Sequence, residues 1–125
     1  MRKKILILDD DNNFVCSLLN AFREDNFSFS IADSIERALY LLKMDYYDLI
    51  IANVKVPGGN SYILKKEIKS IFPTTKIIFM SSIDSDYDAI LNHGEKCLHK
   101  YEMLKENFSV LDTFNNNLEL VLENV

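Results

Sequence analysis

The chain is poor in cysteine, glycine, positive charge and long apolar runs, and each shortage closes off a class of function. Two cysteines, Cys16 and Cys97, in 125 residues cannot build the disulfide framework of a secreted domain. Both are expected as free thiols in the core. Fourteen Lys and Arg against 19 Asp and Glu give a net charge of −5, the wrong sign for gripping phosphate backbones over a broad face. Direct nucleic-acid binding is not expected. The start "MRKKILIL" is basic and then apolar, but far too short for a signal-peptide core or a membrane span. No membrane partner is expected, and the location reads as cytoplasmic. After the first apolar run stands "DDDNN" in place of a glycine-rich loop, and it would repel phosphates. This argues against a nucleotide-binding enzyme. His93, Cys97 and His99 lie close together but match no structural zinc pattern and have no fourth ligand nearby.

What is present is an ordinary globular composition, 48% hydrophobic and 26% charged, in a chain long enough to bury about 65% of its unfolded surface. Residues 1–125 are expected to form a single domain. Short apolar runs alternate with amphipathic stretches. "KKILIL" reads as a buried strand, and "NNFVCSLLNAFRED" places Phe14, Leu18 and Phe22 four apart, as a helix packed on a sheet requires. "FSFSI" alternates like an edge strand; "DSIERALYLLK" then sets Asp33 and Glu36 at capping-box spacing. "DLIIAN" is a third strand, followed by a helix that Asn60 could cap and that ends before Pro73. "TKIIFM" and "KCLHK" are the fourth and fifth strands, separated by a short helix closed by Gly94, and a last helix falls within 103–122. Strands buried on both faces and joined by helices imply a parallel three-layer α/β sandwich with its functional rim at the carboxyl ends of the strands.

That rim collects Asp9, Asp10 and Asp11 after the first strand, Asn53 after the third, Ser81 and Ser82 after the fourth and Lys100 after the fifth. Any one of them has a local explanation; Asp11 reads as the cap of the first helix. The four sets together, carried by "ILILDDD", "YDLIIANVKVPGGN", "IIFMSS" and "CLHK", resemble the receiver domain of two-component response regulators over nearly the whole chain. The resemblance implies a flavodoxin-like fold with five helices and a five-stranded parallel sheet in the order 2-1-3-4-5. It implies a module of phosphorelay signalling that accepts a phosphoryl group from a histidine kinase, with a kinase, an output domain or another regulator as partner through the fourth and fifth βα units; with Asn53 at the acceptor position, the expectation for this chain is an interaction module rather than an enzyme. By the same resemblance Asp9 and Asp10 match the acidic pair, Ser81 the hydroxyl switch position, Lys100 the cation and Cys97 the aromatic switch position. A Mg²⁺ ion would draw on Asp10, Asp9 and the backbone carbonyl of Lys55.

Asn53 stands where such a domain carries its phosphoacceptor aspartate. An amide nitrogen is delocalised into its carbonyl and the amide oxygen is neutral, so Asn53 is not expected to form an acyl phosphate. Two carboxylates and a neutral carbonyl also hold Mg²⁺ less well than three carboxylates, so any Mg²⁺ site is expected to be weak. In exchange, three carboxylates about 5 Å apart would repel by a few kcal/mol at an effective dielectric near 20, and the amide relieves part of that. Cys97, Tyr101 and Ser61 stand where the family commonly has an aromatic residue, Pro and Gly. These departures favour a naturally degenerate receiver over the alternative, an ordinary Mg²⁺-dependent receiver carrying an Asp-to-Asn substitution at residue 53. Lys100 with Asp9 or Asp10 also reads as an ion pair that keeps the cleft neutral. Ser81 reads equally well as a local backbone partner. The surplus of apolar residues at Phe108, Leu111, Phe114, Leu118 and Leu122 leaves two readings open, core packing and a face for a homodimer or an adjoining domain.

Overall fold

Ile5, Leu6, Ile7 and Leu8 are all fully buried, which successive residues of one strand can be only in a sheet covered on both faces. The computed structural model, which describes residues 3–21, 27–93, 95 and 97–100, supplies that sheet. Its strands are β1 (Lys3–Leu8), β2 (Phe27–Ala32), β3 (Leu49–Asn53), β6 (Lys76–Ser81) and β7 (Cys97–His99), hydrogen-bonded in the order β2-β1-β3-β6-β7. Every pairing is parallel, so the expected order 2-1-3-4-5 is the one observed. Between β3 and β6 lies a short antiparallel hairpin, β4 (Lys55–Val56) with β5 (Gly59–Asn60).

The pleat sorts the strand residues into two layers. Ile5, Ile7, Leu49, Ile51, Ile78 and Met80 pack with Phe14, Val15 and Leu18 of α1 (Asn12–Ala21). Leu6, Leu8, Ile50, Ala52 and Phe79 face the other way. They meet Ala38 and Leu42 of α2 (Ile35–Met44), Leu64 and Ile68 of α3 (Leu64–Ile71) and Ile90 of α4 (Asp84–Asn92). Each such aliphatic side chain contributes about 1.5–3 kcal/mol on burial, so the two cores fix the strand register and with it the rim.

Three expectations are corrected. Cys16 is exposed: it lies two residues from each of the buried Phe14 and Leu18, about 200° around the helix from both. The cap of α2 is Ser34, not Asp33; the Ser34 hydroxyl accepts from the Arg37 N–H at 3.1 Å. The fourth strand is displaced by one residue, starting at Lys76 after a turn that the Thr75 N–H closes by donating to the Phe72 carbonyl at 3.1 Å, while the Thr75 hydroxyl donates to the Tyr47 carbonyl at 2.7 Å. Asn60 caps as expected, but its side chain accepts from Tyr62 N–H at the head of a 3-10 turn (Ser61–Ile63) that leads into α3. The expectations for Phe22, Gly94, Tyr101 and the last helix with its apolar surplus lie outside the described residues. No helix among the described residues is long and apolar enough to cross a membrane.

Candidate functional site

Strand register brings the polar residues to one edge. Leu8 lies opposite Ala52, Asn53 opposite Met80, and Ser81 opposite His99. Asp9, Asn53, Ser81 and Lys100 therefore leave the sheet along a common rim, at the carboxyl ends of four adjacent strands. Asp9 is buried to 1% exposure and Lys100 to 5%, and the Lys100 ammonium donates to Asp9 Oδ2 at 2.8 Å. Burial of both charges demands such a pairing, since an ion alone in the interior is heavily penalised. Asp9 Oδ1 accepts from the Asp11 N–H at 3.1 Å, while the Asp9 N–H donates to the Ala32 carbonyl at 3.0 Å. The cation is held further by the Phe14 ring, whose centroid is 4.4 Å from Nζ, and by Asp11 Oδ2 at 3.9 Å. Asp11 also caps α1, its Oδ1 accepting from the Phe14 N–H at 3.1 Å.

Asn53 turns its amide group to its own loop. Nδ2 donates to the Lys55 carbonyl at 2.8 Å, a contact that fixes the amide orientation because a carbonyl can only accept. Behind it, the buried Ser61 hydroxyl donates to the Asn53 carbonyl at 2.7 Å, and Ser61 N–H donates to the Val54 carbonyl at 2.8 Å. In sequence Ser61 is visible only as a departure from a family glycine; nothing in the local pattern signals a buried hydroxyl holding the backbone of Asn53. Ser81 is likewise occupied locally. Its Oγ accepts from Ile83 N–H at 3.0 Å and donates to the Ile83 carbonyl at 3.1 Å. Asp10 is exposed. Of the candidate residues, then, Asp9 and Lys100 are bonded to each other, and Asn53 and Ser81 share the rim with them while bonding to their own loops.

Three further contacts tie the rim to α4 and were not legible in sequence. Lys55 Nζ lies 3.7 Å from Asp86. His99, which ends β7, sits 2.9 Å from Asp84 through Nε2 and packs edge-on against Tyr87 at 5.6 Å between centroids. Cys97 is buried in the same layer, and His93 stacks on Tyr62 at 5.0 Å.

The doubly covered parallel sheet in the order β2-β1-β3-β6-β7, with its polar rim at the carboxyl ends of the strands, is the CheY-like form of the flavodoxin fold. The response regulator receiver domain family matches residues 5–111, and the chain belongs to that family. CpxR, a transcriptional regulatory protein of Klebsiella pneumoniae, is 31% identical over 88 residues, which cover 70% of this chain and 37% of CpxR. Sporulation initiation phosphotransferase F of Bacillus subtilis is 28% identical over 83 residues, 66% of each chain. The match spans only 16–20% of longer relatives from Arabidopsis thaliana, Escherichia coli and Pseudomonas aeruginosa. A two-component response regulator from Clostridium difficile superposes with a TM-score of 0.75 at 25% identity, over 98% of this chain and 97% of that one. The beryllofluoride-activated NtrC4 receiver domain dimer gives a TM-score of 0.77 at 19% identity, over 97% of each chain, a likeness of fold.

Receiver domains generally bind Mg²⁺ at their phosphorylation site. Of the oxygens such an ion would use here, the Lys55 carbonyl accepts from the Asn53 amide and one oxygen of Asp9 accepts from the Lys100 ammonium. Among the described residues no three His, Cys, Asp or Glu side chains come together at metal-ligand spacing.

Proposed function

We propose that this chain is a receiver module of two-component signalling that works by protein–protein binding and takes no phosphoryl group at residue 53. The observation that carries this reading is the hydrogen bond from Asn53 Nδ2 to the Lys55 carbonyl at 2.8 Å. A carboxylate at residue 53 has no proton to donate and would repel that carbonyl, whereas the amide satisfies it without a metal. In this reading Asn53 occupies the phosphoacceptor position, Asp9 and Asp10 the acidic pair, Ser81 the hydroxyl position and Cys97 the aromatic position. Lys100 serves as the counter-ion of Asp9, so the rim is held in one state. The module comprises residues 1–125 and operates in the cytoplasm. Its partners, a kinase, an output domain or another regulator, meet the surface of α4 and β7, where His99, Asp84, Tyr87 and Asp86 lie.

The test is incubation with a small acyl phosphate and Mg²⁺, read by intact mass, with Asn53→Asp as the positive control. The native chain is expected to keep its mass while the variant gains one phosphoryl group. An acid-stable, hydroxylamine-labile adduct on the native chain, mapping to Asp10 or any other carboxylate of the rim, would sink the reading.

A further inference from the structure

Away from the rim, on the face formed by α2 and α3, the two helices leave a cleft of about 370 Å³ between them. Leu39 and Leu42 line it from α2, Ile68 and Ile71 from α3, with Phe72 at one end. Ile71, one of its lining residues, is 62% exposed, and Met44, next to Lys43 at the end of α2, is 68% exposed. An apolar cleft edged by exposed apolar side chains is a place that a partner can cover. The charges at the cleft say what. Lys43 stands on the α2 wall and Glu67 on the α3 wall, and neither side chain has an ion-pair partner among the described residues. A cleft with one cationic wall, one anionic wall and an apolar floor is complementary to itself. A two-fold axis running along it exchanges the walls, so that Lys43 of one copy meets Glu67 of the other. The exposed Ile71 and Met44 side chains then enter the apolar surface of the opposite copy, an isologous arrangement.

We infer that the α2–α3 face is a self-association surface, and that the occupant of the cleft is a second copy of this chain. No residue of α4 or β7 lines the cleft, so this surface is distinct from the proposed signalling surface. It does not depend on the state of residue 53.

The test is sedimentation equilibrium on the native chain over a hundredfold concentration range, beside Ile71→Asp, Lys43→Glu, Glu67→Lys and the double charge reversal Lys43→Glu/Glu67→Lys. All three positions are exposed on their helices, and circular dichroism checks that each variant is folded. The native chain is expected to dimerise. Ile71→Asp should be monomeric, each single reversal should weaken dimerisation at least tenfold, and the double reversal should restore it, with the whole pattern repeated in an Asn53→Asp background. A native chain that stays monomeric throughout, a dimer indifferent to Ile71→Asp, or a double reversal as weak as the single ones would overturn the inference. Failure here leaves the phosphoryl-transfer test of residue 53 untouched, since that experiment reads mass and not assembly.

Discussion

At residue 53 one atom separates two behaviours. Replacing Asn53 by Asp exchanges the Nδ2 donor for a charged oxygen, so the bond to the Lys55 carbonyl is lost and a further anion enters a rim already holding Asp9 and Asp10. Coulomb repulsion at a partly solvated site, with an effective dielectric near 20, makes this a loss of about 1–2 kcal/mol, equivalent to a melting temperature about 5 °C lower. Thermal melting should show that drop without Mg²⁺ and a selective recovery with it, because the cation neutralises the added carboxylate. Equal melting of both forms without metal would remove the electrostatic account of Asn53. Lys100 and Asp9 are coupled more tightly, since both are almost fully buried. Lys100→Met strands the Asp9 charge and should destabilise the fold by about 3–5 kcal/mol in urea titration, whereas Lys100→Met with Asp9→Asn should regain most of it. Asn53, Asp9 and Lys100 were each legible as rim residues from spacing alone. What spacing could not reveal was which of them bond, because that depends on side-chain direction: Lys100 reaches Asp9 across the sheet, but Ser81 folds back on Ile83.

At the scale of elements, strands were easier to read than the turns and caps that orient them. β1, β3 and β6 are buried on both faces, and their apolar runs announce this directly. The hairpin of Lys55–Asn60 left no periodic signal, as its two strands have two residues each. Its turn rests on Gly58, whose φ of 101° is open to glycine and strained for other residues. A Cβ there would also lie 3.2 Å from Cβ of Ile35, next to the bond from Ile35 N–H to the Pro57 carbonyl at 3.0 Å. Gly58→Ala should therefore destabilise by about 1–2 kcal/mol through backbone strain alone, measurable by denaturant titration, and should loosen the loop that presents Lys55. The N-terminal end of β1 is tied to the loop after α2 by the ion pair of Lys4 with Asp45. The hydrogen bond from Lys4 holds the Asp45 carboxyl below the usual carboxylate range and raises the Lys4 ammonium in turn. A lowered carboxyl gives stability that is present above its unfolded titration range and is lost as pH falls through the folded one. The raised ammonium gives stability that is lost only as pH climbs through its folded value. Asp45→Asn should thus be slightly less stable than the native chain at neutral pH, with the difference shrinking in acid and in high salt. A difference that grows in acid would contradict the pairing.

For the whole molecule, the question is how a rim already satisfied by its own groups can still belong to a signalling domain. The sheet makes the rim rigid: β1, β3 and β6 carry fully buried residues into both layers, while β2 and β7 form its edges. α4 rests on that edge through Ile90, through the pair of Asp84 with His99 and through the contact of Asp86 with Lys55. Lys55 is two residues from Asn53, so a charge change at residue 53 has a short covalent and ionic route to α4. In the native chain no phosphoryl group is expected at residue 53, and α4 should keep its position with or without a phosphodonor. Amide hydrogen exchange reads this directly, because local opening near the edge is a lower-energy event than global unfolding. The amides of β1 and β3 should exchange slowest, and those of α4 and β7 faster. Acyl phosphate with Mg²⁺ should leave the native pattern unchanged, but should alter α4 and β7 protection in Asn53→Asp. If the native chain responds at α4 as the variant does, the rim is a working switch, and the reading of Asn53 as the residue that holds it in one state fails.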